Sequence, residues 1–220
     1  MIELSTIKFL KNLSLNNNRE WFISNKGNYE SARDNVLDFT SVLISGISRF
    51  DPTVPADLNP KTCVMRIYRD IRFSKDKTPM KNNFGIGISS NGKNFKGPGY
   101  YIHIQPEKSF IAGGSWFPEA EELKAIRQEI DYNGSALKEI VENPSFKKVF
   151  KGLDLDAALK TTPKGYDQDN EYISFLKLKS FTTTQPINDK VLTQPDSAKV
   201  IVDRMENLFP LLGFLRNAIV

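Results

Sequence analysis

The 220-residue chain holds one cysteine and one histidine, Cys63 and His103. That excludes an intramolecular disulfide, a cysteine metal cluster and any metal site built on two histidines. With 40% hydrophobic and 25% charged residues it has an ordinary globular composition, and 30 cations against 26 anions leave only +4, too modest a balance to imply nucleic acid by composition alone. No stretch approaches the ~18 apolar residues of a membrane span. The opening MIELSTIKFLKN has no basic leader followed by an apolar core, so a soluble, cytoplasmic chain without a membrane partner is expected.

The first sixty residues read as helical. Ser5 is placed to cap a short helix carrying Ile7, Leu10 and Leu13. Asn16, Asn17 and Asn18 break it, and Asn18 suits the cap of a longer helix. In that helix Phe22, Tyr29, Val36, Leu43 and Phe50 recur every seven residues as one apolar stripe. Pro52, Pro55 and Pro60 then make an irregular connection.

The stretch from Lys61 to Lys81 holds seven cations and two carboxylates, +5, so the rest of the chain sums to −1. Read at period two it is a strand over about 62–73. Cys63, Met65, Ile67, Ile71 and Phe73 fall on one face, and Val64, Arg66, Tyr68, Asp70 and Arg72 on the other. Arg69 lies on the apolar face, where a guanidinium must be paired or reach an open site, because it cannot shed its proton. Two readings stay open: a ladder of cross-strand ion pairs on a solvated face, or a binding site for an anion held by Arg66, Arg69, Asp70, Arg72, Lys75 and Lys77.

Three further strands follow. Phe84, Ile86 and Ile88 alternate with Gly85 and Gly87, leaving one face nearly bare backbone. Residues 100–105 put Tyr101, His103 and Gln105 on one side, and Ser109 to Ala112 runs into Gly113 and Gly114. Turns too short for crossover helices argue an antiparallel meander. Helices return from Pro118, with Asn133-Gly134 as a stop, Asn143-Pro144 as a new start and Pro210 dividing the last helix. Residues 178–184 look extended. The expected architecture is one α+β domain over 1–220, with an antiparallel sheet of about 62–115 packed by helices from both ends.

His103 and Tyr101 are the candidates for proton transfer, since any histidine-based constellation must use His103. Asp70 and Asp76 stand among cations, which opposes a metal there, and no metal or cofactor is expected. Gly97-Pro98-Gly99 lacks the following helix and Lys-Ser or Lys-Thr pair of a phosphate loop. An anionic small molecule is the expected partner, with nucleic acid bound weakly and without sequence preference at most.

NNNREWF (16–22), RIYRDIRFSKDKTPMK (66–81), GPGYYIHIQPEKSFIAGGSWFP (97–118), PKGYDQDN (163–170) and Lys179-Ser180-Phe181 together resemble DUF2461, a bacterial family catalogued as a domain of unknown function. The resemblance spans nearly the whole chain. It implies Arg66, Arg69, Asp70, Arg72, Phe73, Asp76 and Lys77 as hallmark positions. Met80 stands where the family commonly has Tyr, and Asn170 where it often has His. The resemblance implies a fold unit and a site. From the residues, an anion-binding module is the first reading and a metal-independent enzyme acting on a phosphate-containing substrate the second.

Overall fold

The computed structural model describes residues 1–219 and begins with helices separated by asparagines. Helix α1 spans Leu4–Leu15, α2 Arg19–Ser24 and α3 Lys26–Ile47. Asn18 caps α2, its side-chain oxygen accepting from the Trp21 amide at 2.9 Å. The expected long helix is divided at Asn25, whose backbone leaves helical values and whose side chain donates to the Trp21 carbonyl. An asparagine that satisfies a helix end with its own amide competes with helix continuation. The seven-residue stripe survives the break. Phe22, Val36 and Leu43 are buried, and the Tyr29 ring stacks on Phe84 with centroids 6.3 Å apart. Each fully buried aliphatic contributes about 1.5–3 kcal/mol. The cap of α1 is Glu3, not Ser5.

A four-stranded antiparallel sheet follows: β1 (Phe84–Ile88), β2 (Gly99–Ile104), β3 (Phe110–Ser115) and β4 (Phe181–Pro186), in spatial order β1-β2-β3-β4. The α+β class with one antiparallel sheet and flanking helices is therefore as expected, but the sheet's limits are not. Residues 62–73 do not form a regular strand. The last part of helix α4 (Pro60–Cys63) occupies the start of the stretch, and two isolated antiparallel bridges, Val64 to Ile86 and Tyr68 to Met80, hold the remainder beside the return segment. Phe73 is 95% exposed, so the apolar face read from periodicity ends at Ile67, with Ile71 only half-buried. Beyond it, Asp70 and Asp76 each bond a backbone amide two residues on, a local geometry that turns the chain out of a ladder. The fourth strand comes instead from residues 181–186, more than sixty residues further along the chain.

Helices α5 (Ala120–Glu142), α6 (Pro144–Phe150), α7 (Ile173–Leu176), α8 (Asp189–Leu192), α9 (Ser197–Glu206) and α10 (Phe209–Ala218) complete the fold. Asn133 kinks α5 without stopping it. Asn143 caps α6 as its sequence suggests, and Pro210 sits in the first turn of α10, where its missing donor costs nothing. No described helix is long and apolar enough to cross a membrane.

By internal contacts the chain resolves into two compact units. One comprises Met1–Phe95, Tyr101–Ile111 and Pro186–Asp203, and the other Lys96–Tyr100, Ala112–Gln185 and Arg204–Val220. In the first, α1 and α4 pack on α3, and α3 and α4 on β1. Its core includes Phe39, Leu43, Ile44, Ile47, Phe84 and Ile86. In the second, α5 packs against α6, α7 and α10, burying Ile126, Ile130, Leu137, Leu211, Leu212 and Leu215.

Gly114 ties β3 to β4. Its φ is +125°, and a Cβ there would fall far inside van der Waals contact distance of the Phe181 carbonyl oxygen. Neither the backbone conformation nor the space admits a side chain. Gly114→Ala is expected to destabilise the protein by about 3 kcal/mol or more. A urea titration checks this, and a loss below about 1 kcal/mol would contradict the tight β3–β4 approach.

Candidate functional site

The alternation of β2 turns Tyr101, His103 and Gln105 to one side of the strand, while Tyr100, Ile102 and Ile104 are fully buried on the other. On that first side the three polar groups form a chain. The Tyr101 hydroxyl lies 3.2 Å from His103 Nδ1, and His103 Nε2 lies 2.9 Å from Gln105 Oε1. An amide oxygen only accepts, so Nε2 carries the proton and donates it, which leaves Nδ1 to accept from Tyr101. The imidazole also lies flat on Phe110, with centroids 4.7 Å apart and planes at 11°. The histidine is thus fixed in orientation and tautomer. Gly85 makes room for the start of the chain: a Cβ at this position would fall 2.8 Å from the Tyr101 hydroxyl oxygen and 3.0 Å from Met65 Sδ.

Charge around this chain is of one sign. Burial pushes the Tyr101 phenol up from its ordinary value. His103 is pushed down, first by burial and also by the Lys81 ammonium, against an opposing contribution from the Gln105 hydrogen bond. Lys81 is pushed down in turn, by burial and then by Arg66. Neither Lys81 nor Arg66 makes a salt bridge with any described carboxylate. Here a half-buried ammonium and a guanidinium stand near a neutral imidazole.

The basic segment divides the remaining candidates into braced and free groups. Arg69, one quarter exposed, donates to Asp76 and to the Thr78 hydroxyl, and reaches Ser74 Oγ at 3.4 Å. Asp76 is pulled down to about 2, chiefly by the Thr78 amide and then by Arg69. Arg72 grips Asp70 with two bonds, Nε to Oδ1 at 3.0 Å and Nη2 to Oδ2 at 2.7 Å, and Asp70 is pulled down by this partner. Lys77 Nζ donates to the Ile71 carbonyl at 3.0 Å. Lys75, like Arg66, has no hydrogen-bonded or ion-paired partner among the described residues. The six candidates are therefore not one cluster: Arg69, Asp70, Arg72 and Lys77 shape the segment, while Arg66 and Lys75 stay open.

Two residues of this site were not singled out from sequence. Gln105 completes the hydrogen-bond chain, and period-two alternation already put it beside His103. Lys81 stands at the end of the basic run, but its proximity to His103 is a tertiary fact with no local signal. Cys63 is buried and its thiol pushed up by that burial, so it stands apart from this chemistry. Among the described residues, no group of three His, Cys, Asp or Glu side chains is placed to hold a metal.

A family model described as "Conserved hypothetical protein (DUF2461)" matches residues 5–214, and the chain belongs to that family. Comparison with curated proteins found no match, and neither did comparison with solved structures.

His103 supplies a single imidazole resonance that tests this electrostatic picture. Its folded pKa is expected below the ordinary 6.5, and Lys81→Met should raise it by removing a like charge. Because the folded state binds this proton less readily than the unfolded chain, His103 contributes stability in full above about 6.5. That contribution is lost as pH falls through the depressed folded value. A folded pKa at or above 6.5 in an NMR titration would refute the burial and like-charge argument.

Proposed function

We propose that this DUF2461 chain binds a phosphate- or carboxylate-bearing ligand beside β2, with Arg66 and Lys81 as the charged contacts and His103 and Tyr101 as hydrogen-bonding groups at the edge of the site. The observation carrying this reading is the half-buried Lys81 ammonium, held near both the Arg66 guanidinium and the neutral His103 imidazole and joined to no described carboxylate by a salt bridge. Half-burying the Lys81 ammonium near a guanidinium, with no salt bridge of its own, costs free energy that an anion beside it would recover. Charge-assisted hydrogen bonds of this kind contribute about 1.5–3 kcal/mol each. Arg69 and Arg72 act in this reading as positioning groups, already matched by Asp76 and Asp70. Lys75 extends the positive field. The buried free thiol of Cys63 accords with a reducing, cytoplasmic setting.

The test is thermal. Phosphate at about ten times its Kd should stabilise the protein by about 1.4 kcal/mol. For a chain of this length that raises Tm by roughly 3–6 °C over chloride at matched ionic strength. Arg66→Met and Lys81→Met should each flatten the response. Identical melting in phosphate and chloride would remove the proposal.

A second reading makes the same site a metal-independent enzyme for a phosphate-containing substrate, and the Tyr101–His103–Gln105 chain favours it. In that case Tyr101, oriented by the neutral imidazole, gives its hydroxyl proton to the oxygen that departs as water attacks phosphorus, with Arg66 and Lys81 stabilising charge in the transition state and the phenolate regaining a proton from solvent. On this reading His103→Gln should lower p-nitrophenyl phosphate turnover by about 10²-fold or more. A parent protein with no turnover above buffer leaves binding alone.

A further inference from the structure

We infer that the tip of the basic segment, residues 69–78, is a stacking finger for an unpaired nucleobase, so that the anion of the proposed site belongs to a single-stranded nucleic acid. This rests on the anion-binding reading above and adds the polymer's chemical class.

Phe73 is 95% exposed, more than any other large hydrophobic side chain among the described residues. A lone exposed phenylalanine is common and by itself means little. This one is different because the backbone on both sides is fixed while the ring is left bare. On one side, Arg72 is clamped to Asp70, whose carboxylate also accepts from the Arg72 amide. On the other, Asp76 and Thr78 hold the Arg69 guanidinium, Asp76 accepts from the Thr78 amide, and Lys77 closes back on the Ile71 carbonyl. None of these bonds covers Phe73. The Arg72 guanidinium lies over the ring, 5.8 Å from its centroid, and the ring is still 95% exposed.

The tip carries Arg69, Arg72, Lys75 and Lys77 against Asp70 and Asp76, four cations and two carboxylates, hence +2. Cations around one rigid, open aromatic face match a single strand, in which phosphates follow the positive field and every base offers a π-face. A duplex hides those faces, and the tip contains neither a helix nor a regular strand to enter a groove. A lipid surface would draw on several exposed apolar side chains. Here Phe73 is alone, since Ile71 is half-buried.

Fluorescence anisotropy with labelled oligothymidylate and an abasic strand of equal length separates the ring from the charges. The parent should bind oligothymidylate more tightly, by roughly fivefold to a hundredfold for one stacked base. Phe73→Leu should erase the preference while keeping the abasic affinity, and Phe73→Trp should preserve it. Arg66→Met and Lys81→Met should weaken both strands together, and affinity for both should fall steeply with salt. Equal affinity for the two strands in the parent, or a preference that survives Phe73→Leu, overturns the finger. So does binding to phosphatidylserine vesicles without any preference for bases. A rise in Tm with phosphate but no base preference sinks the finger and leaves the anion site standing, whereas no phosphate response sinks the anion site itself.

Discussion

The site depends on a side chain that is absent. Gly85 leaves β1 bare where the Tyr101 hydroxyl and Met65 approach it, and that clearance lets the phenol lie along the sheet and reach His103. With a methyl group in the way, the phenol would have to rotate and the hydrogen-bond chain to Gln105 would lose its first link. The rest of the site is assembled on this link: Gln105 fixes the tautomer from the other side of the ring, Phe110 lies flat against it, and burial keeps His103 neutral beside Lys81. A stretch of empty backbone is thus the foundation on which a polar network is assembled, consistent with glycine in strands marking close approach.

The basic segment follows a different logic. Its carboxylates are few, and each is used twice. Asp70 holds both the backbone and the guanidinium of Arg72, and Asp76 holds the Thr78 amide and Arg69. Exposed pairs of this sort contribute little to overall stability. Their effect is geometric, because two closed turns bracket Phe73 and fix the direction of the chain on either side. The result is a division of labour among like residues, in which some arginines hold the segment's shape and others keep an unspent charge.

Much of this was legible in the sequence because it depends on local periodicity. Alternation in residues 84–88 and 100–105 placed the glycine face and the Tyr101–His103–Gln105 side, and the helical stripe through Phe22, Val36 and Leu43 marked a core. The turns of 70–78 were obscured because alternating residues and turn-forming aspartates coexist there, and local side-chain bonds to the backbone overrode the strand period. Asn25 and Asn133 erred in opposite directions. Asn25 broke a helix that the stripe carried through, while Asn133 only bent one that Asn-Gly was expected to end. Residues 178–184 read as extended, yet no local pattern names the strand that 181–186 join. Lys81 beside His103 is hidden for the same reason: pairing across distance is written in the fold, not in spacing.

The path of the chain between its two compact units has a consequence for how the protein can be dissected. The backbone passes from one unit to the other five times, after residues 95, 100, 111, 185 and 203. Three separate segments build each unit, and the closing segments both lie in the last thirty-five residues. No single cut separates the units: cutting after residue 203 keeps all of the first together with most of the second, and cutting after residue 95 keeps all of the second together with part of the first. The catalogue of useful truncations is correspondingly short. Removing residues from 204 onward strips the second unit alone, whereas removing those from 186 onward strips both, making this a chain to be probed by point substitution rather than by deletion.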